Sequence, residues 1–441
     1  MKRLSIVLST LVLLLAATTV FAAPVKNLSI LWAQWDPADY LQQLCNEYQK
    51  ATGITVKVVQ EPWGSFGDRF YTAMAAKGTE WDMVIGDSQW LGTGATSGQY
   101  IDLTNFMNSN NLVTSVTPAT LRYYGEYPVG SKKYWAYPTE GDACGFAYRK
   151  DLFENPTEKA NFQKKYGYAL KPPDTWKQFR DIAEFFTRPS DGIWGCAIYT
   201  QKDYDAITMG VETVLFSFGM DWQDKNNNVL GVVNSKEGIE AAQFYHDLYQ
   251  KFSPAGLSNA FFNEVNDAYV NGKAAMQMNF FAFLPMMTNS KLDPKYYDKT
   301  GYFVNPAGPT GKRFAALGGQ GLSILSYIDK DRQQAAFDWL KWFASDKTQA
   351  RWAELGGYSC NVKALGSEAF LKSQPYNPQF AQTMTFVKDF WNIPSYGPLL
   401  QASQKWIHRY VVENVGTAKE AMDGMAKEQQ KVLVDGGYIK K

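Results

Sequence analysis

WAYPTEGDACGFAYRKDLF, Trp135 to Phe153, decides how the rest of the chain is read. Its first half is polar and acidic, with Glu140 and Asp142 two residues apart. Its second half, Gly145 to Tyr148, is a short apolar run that reads as a strand closed by the charges of Arg149, Lys150 and Asp151. Pro172-Pro173-Asp174-Thr175-Trp176 follows as a stop and then a helix start. Asp174 or Thr175 serves as the cap, and Phe179, Ile182 and Phe186 share one face.

Upstream, strand and helix alternate. Leu28 to Ala33 is an apolar strand. Asp39 to Lys50 is a helix with Leu41, Leu44, Cys45 and Tyr48 at helical spacing, stopped by Gly53. Ile54 to Val59 alternates as a second strand, Phe66 to Ala76 forms a second helix, and Trp81 to Ile85 forms a third strand. This order predicts a parallel sheet with helices on its faces. Ligands of such sheets bind outside the carboxyl ends of the strands. Those ends are Gln34-Trp35-Asp36 and Gly86 to Trp90, including Asp87 and Gln89. Downstream, Ala335 to Phe343 and Thr417 to Leu433 read as amphipathic helices.

Met1 to Ala22 has a basic start, an apolar stretch and small residues before a cut, and reads as a cleaved export signal. No Cys follows until Cys45, which speaks against a lipid anchor. With 441 residues the chain suffices for two domains. Lys and Arg number 44 against 43 Asp and Glu, so no global field draws nucleic acid. Cys45, Cys144, Cys196 and Cys360 lack metal spacing. Cys144 and Cys196 could pair in an oxidising compartment, or all four could be buried thiols.

Hydrolase and metal signatures are weak. The two histidines, His246 and His408, lie in helical or apolar surroundings and suit structural roles. No G-x-S-x-G elbow exists. Gly92 to Gly98 has the wrong spacing for a phosphate loop and reads as a flexible connection. Asp224 to Val229 starts like a calcium loop but has Val229 where Gly belongs and Ser235 where Glu belongs, so it reads as a surface turn. Glu140 and Asp142 admit three roles: a glycosidase acid and base, acceptors for sugar hydroxyls, or a solvated loop. Among 14 Trp, 26 Tyr and 27 Phe, most must be core. Trp35, Trp63, Trp90, Phe280, Phe281, Tyr358 and Tyr396 flank strand ends or turns, where an aromatic face would suit a pyranose ring.

The order aromatic-Pro, acidic residue, strand, Tyr-x-Lys-Asp-Leu and Pro-Pro-x-Thr-Trp resembles the lobe crossover of extracellular solute-binding proteins of the maltose-binding type, family 1. Gly53-Ile54-Thr55-Val56, Trp81 to Val84, Ala268 to Met276, Leu317 to Ile324 and Gly356 to Leu365 resemble further elements of that family in the same order. The resemblance covers most of the chain after residue 22. It implies an α/β, two-lobed periplasmic binding protein type II fold with a ligand cleft between discontinuous lobes. The lobes would be 24–140 plus 316–355 and 143–310 plus 360–441. It also implies a periplasmic protein that captures a sugar or oligosaccharide and delivers it to the permease of an ABC importer. Such a protein needs no cofactor or metal and acts as a monomer. Carried over residue by residue, it assigns ligand contact to Trp35, Asp36, Asp87, Gln89, Trp90, Asp142, Glu212, Asn279, Phe281, Gly319 and Gln320. Trp63, Glu140, Tyr358, Asn361 and Tyr396 complete the expected site. Asn361 stands where many relatives carry Arg, which leans toward a neutral ligand. The rival readings are an exported carbohydrate-active enzyme using Glu140 and Asp142, and a binder of a polyamine or other small cation.

Overall fold

The computed structural model describes residues 24–439, so the expected export signal at 1–22 lies outside the described residues. Among the described residues, nine strands form the framework: β1 Asn27–Ala33, β2 Thr55–Glu61, β3 Met83–Asp87, β4 Tyr137–Arg149, β5 Trp194–Ala197, β6 Ala274–Phe280, β7 Thr300–Phe303, β8 Ala315–Ile324 and β9 Val387–Lys388. Their order is β2-β1-β3-β8-β4-β6-β5, with β7 on β4 and β9 on β8. β1 pairs in parallel with β2 and β3, as the alternation predicts.

β4 makes the fold two-lobed. Tyr137 to Ala143 pair with β8, which pairs in turn with β3. Cys144 to Arg149 pair instead with β6 and β7. One strand therefore runs from one packed body into the other. Two large hydrophobic cores lie on either side. The first gathers Trp32, Leu41, Phe70, Val84, Trp339 and Trp352. The second gathers Phe146, Trp176, Phe179, Val214, Tyr245 and Met422. This is the α/β, two-lobed architecture that the resemblance implies.

Local rules account for the helices beside the sheet. The first runs Asp36–Thr52 with Pro37 in its opening turn. It ends where Gly53 turns left-handed and donates its N–H to the Gln49 carbonyl. The helix Trp176–Phe186 starts in a capping box: Gln178 N donates to Thr175 Oγ1 and Thr175 N to Gln178 Oε1, each at 3.2 Å. Thr175→Ala should therefore cost about 1 kcal/mol of unfolding free energy in a urea titration. An unchanged midpoint would show the cap to be energetically idle.

One local expectation fails. Gly92 to Gly98 is not a flexible connection, because it lies largely in the helix Ser88–Thr96. The glycines serve close packing: a Cβ at Gly94 would fall 2.1 Å from the Tyr100 ring. Of the three roles open to Glu140 and Asp142, the solvated loop is ruled out, since Thr139, Glu140 and Asp142 are buried within β4. Elsewhere, all four cysteines are buried free thiols, so Cys144 and Cys196 are not bridged. Asp224 to Val229 is a turn in which the Asp224 carboxylate accepts from the N–H groups of Asn226 and Asn228. His246 stacks on Tyr410 at 4.5 Å. Among the described residues, no helix is long and apolar enough to cross a membrane.

Candidate ligand cleft

Where the two bodies face each other, a cavity opens at the carboxyl end of β3 and beside the middle of β8. One body contributes Trp35, just after β1, and Trp63, at the start of the helix Trp63–Ala75. It also contributes Asp87, Ser88 and Gln89. The facing body contributes Tyr204, Asp205, Phe261, Phe262, Phe280, Phe283, Asp389 and Phe390. Asp142 of β4 and Leu317 to Gln320 of β8 lie between them.

Nine of the twenty lining residues are aromatic. Trp35 meets Trp63 edge-on at 5.4 Å, Trp63 meets Tyr204 at 5.5 Å, and Phe262 stacks on Phe283 at 4.1 Å. Trp63–Tyr204 and Trp35–Phe283, the latter at 6.4 Å, join opposite sides of the cleft. Asp87 is the polar hub. It accepts hydrogen bonds from Gln89 Nε2 at 2.9 Å, from Gln320 Nε2, and from the Tyr204 hydroxyl across the cleft. Gln320 is held in turn by the indole N–H of Trp32. Gly319 keeps β8 close to β4 here. Its φ of +114° is left-handed, and a Cβ would fall 2.2 Å from the Glu140 carbonyl.

The carboxyl groups are acid-weakened throughout. Burial pushes Asp87 up, and its bonds from Tyr204, Gln320 and Gln89 offset part of that rise. Burial also raises Asp142, against the N–H groups of Ala143 and Ala282, which it accepts at 2.8 and 3.1 Å. Burial, reinforced by the charge of Asp87, drives Asp205 well above the carboxylate range. Asp389 is pushed up to about 7 by burial, with Asp87 again adding to the rise. Charged forms in a dry site carry a desolvation penalty unless a partner compensates them.

Of the expected site residues, Trp35, Trp63, Asp87, Gln89, Asp142, Gly319 and Gln320 line this one cavity. The others do not. Asp36 and Tyr358 line a separate hollow with Gly356 and Tyr376. Trp90 turns into the core and stacks on Phe70 at 4.4 Å. Asn361 caps the short helix Val362–Leu365, so the missing Arg there says nothing about ligand charge. Glu212 is buried inside the helix Ala206–Phe218, and Tyr396 is buried at the start of the helix Tyr396–Val411.

Asn279 bonds to Asn266 at 2.7 Å, and Phe281 packs on Phe380 at 5.4 Å. Between them in sequence, Phe280 lines the cavity instead. Neighbouring residues on an extended strand face opposite ways, so an assignment one residue off selects the wrong face. Glu140 is fully buried, does not line the cavity, and has neither carboxyl oxygen hydrogen-bonded. Only one member of the acidic pair therefore faces the cleft, and the two do not flank a common space as a glycosidase pair must. Sequence reasoning missed Tyr124, Tyr204, Asp205, Met209, Phe261, Phe262, Phe283, Asp389 and Phe390. Asp205 before an apolar helical run and the doublet Phe261-Phe262 were the available signals.

The profile of the bacterial extracellular solute-binding protein family matches residues 34–350. A Deinococcus radiodurans protein named "Probable ABC transporter-binding protein" is 27% identical over 347 residues, 77% of this chain and 76% of that protein. The mannitol-binding protein of Pseudomonas aeruginosa is 25% identical over 244 residues, 55% of this chain and 53% of its own. Among solved structures, an ABC transporter solute-binding protein from Agrobacterium radiobacter in complex with ribitol superposes with a TM-score of 0.78 at 22% identity. That match covers 93% of this chain and 100% of the other. A profile match across most of the chain, joined to two bodies closing on an aromatic and acidic cleft, assigns the chain to the bacterial extracellular solute-binding proteins.

Proposed function

We propose that this protein captures a sugar, a sugar alcohol or a short oligosaccharide and hands it to the permease of an ABC importer. On this reading it is exported through removal of residues 1–22, works in the periplasm as a monomer, and docks on the permease in its closed form. The observation that carries the proposal is the pairing of aromatic faces with unsatisfied polar atoms in one cleft. Indole N–H groups of Trp35 and Trp63 and the Tyr124 hydroxyl have no hydrogen-bond partner. Carboxyl oxygens Oδ1 of Asp205 and Oδ2 of Asp389 likewise have none. Donors and acceptors of this kind match the hydroxyl rim of a polyol, while the rings match its C–H face. The mannitol-binding relative supports a ligand of that class.

A thermal-shift screen of monosaccharides, hexitols and oligosaccharides tests the proposal. A ligand present at about a hundred times its Kd should stabilise the protein by about 2.7 kcal/mol. X-ray scattering should then give a radius of gyration no larger than that of the free protein. Absence of stabilisation across the whole panel at millimolar concentration would count against a carbohydrate ligand.

A further inference from the structure

We infer that the ligand of this cleft carries a protonated nitrogen, most simply an amino sugar or an amino polyol. Four carboxyl groups, Asp87, Asp142, Asp205 and Asp389, line the cavity, and no Lys, Arg or His does. The groups that act to ionise them are amides and hydroxyls alone: Gln89, Gln320 and Tyr204 for Asp87, backbone N–H groups for Asp142 and Asp205, and Ser88 with the Phe390 N–H for Asp389. Buried carboxylates are ordinarily paired with a cation. Here the protein supplies none.

A second observation points to the missing partner. Asp205 and Asp389 are 5% and 6% exposed, yet Oδ1 of the first and Oδ2 of the second meet no hydrogen-bond donor. Both residues border the empty space rather than the packed core alone. Trp63, Tyr204, Phe261 and Phe262 stand around the same space, and their ring faces attract an ammonium group. Among the described residues, no three acidic, His or Cys side chains converge as a metal ion requires, so the carboxyls suit a larger organic cation. The inference takes only the hydroxylated frame of the ligand from the carbohydrate reading. The charge rests on the carboxyls themselves.

Titration calorimetry on the purified exported protein separates the possibilities. D-glucosamine is compared with D-glucose and N-acetyl-D-glucosamine, 1-amino-1-deoxy-D-glucitol with D-glucitol, and putrescine with all of them. The amines should bind at least about tenfold tighter than their neutral partners. Asp205→Asn and Asp389→Asn, checked for native circular dichroism, should each erase most of that advantage while leaving weak neutral binding.

Affinity for the amine should also rise from pH 5.5 to pH 7.5. The raised carboxyls hold protons at the lower pH and must release them to face an ammonium group. The groups concerned are Asp87, Asp142, Asp205 and Asp389, with Tyr124 and Tyr204 beside them and Glu140, Glu212 and Tyr396 behind. Neutral ligands binding as tightly as the amines would overturn the inference and leave the carbohydrate reading standing. Putrescine binding without any hydroxylated ligand would keep the charge and overturn the carbohydrate reading. Binding by none of these compounds would overturn both.

Discussion

Asp87→Ala is expected to weaken binding of the tightest ligand by about a hundredfold. The Asp87 carboxylate accepts from Gln89 and Gln320 on its own side and from Tyr204 on the other. Its removal takes away one bond that spans the cleft and one acceptor facing the ligand space. Hydrogen bonds to charged groups are worth about 1.5–3 kcal/mol each. Loss of two such terms, partly offset by rehydration of Tyr204 in an opened cleft, leaves about 3 kcal/mol, or about two decades of Kd. Tyr204→Phe keeps the ring against Trp63 and deletes a single bond, so about tenfold is expected from it. Calorimetry on both variants gives the comparison. An Asp87→Ala protein that binds within threefold of the unaltered one would remove this carboxylate from closure.

Phe146→Ala should lower the unfolding free energy by about 3–5 kcal/mol, the range for truncating a large core aromatic. Phe146 is fully buried in β4. It stacks on Phe303 at 5.1 Å and meets Trp176 and Phe179 edge-on at 5.6 and 5.7 Å. These rings come from β7 and from the helix Trp176–Phe186, so the hole cannot close without moving a helix off the sheet. The loss should fall on the body that holds these rings, separating its transition from that of the other body in a urea titration followed by circular dichroism. A change under about 1 kcal/mol would mean that the site collapses around the smaller side chain.

Local chemistry makes much of this protein legible from its residues alone. The alternation from Leu28 to Ile85, with Leu41, Leu44, Cys45 and Tyr48 at helical spacing, specifies parallel strands and a covering helix, because periodicity and caps act over a few residues. The same logic placed Trp35, Asp87 and Gln89 at strand ends, where such sheets bind ligands, and the family resemblance added Asp142, Gly319 and Gln320. It failed where a side chain's direction depends on distant partners. Glu140 and Asp142 share one strand, yet Asp142 reaches the cavity while Glu140 is enclosed in the core between β4 and β8. Phe280, named among the aromatic candidates, lines the cavity, while Asn279 and Phe281 on either side of it do not. Tyr204, Asp205 and Asp389 come from loops and ends far from β3 in sequence, and only the packing of two bodies brings them to Asp87. The elements and their order follow from short-range patterning. Which carboxyls come to share one space without a cation follows from packing, since desolvation and charge act through space and not along the chain.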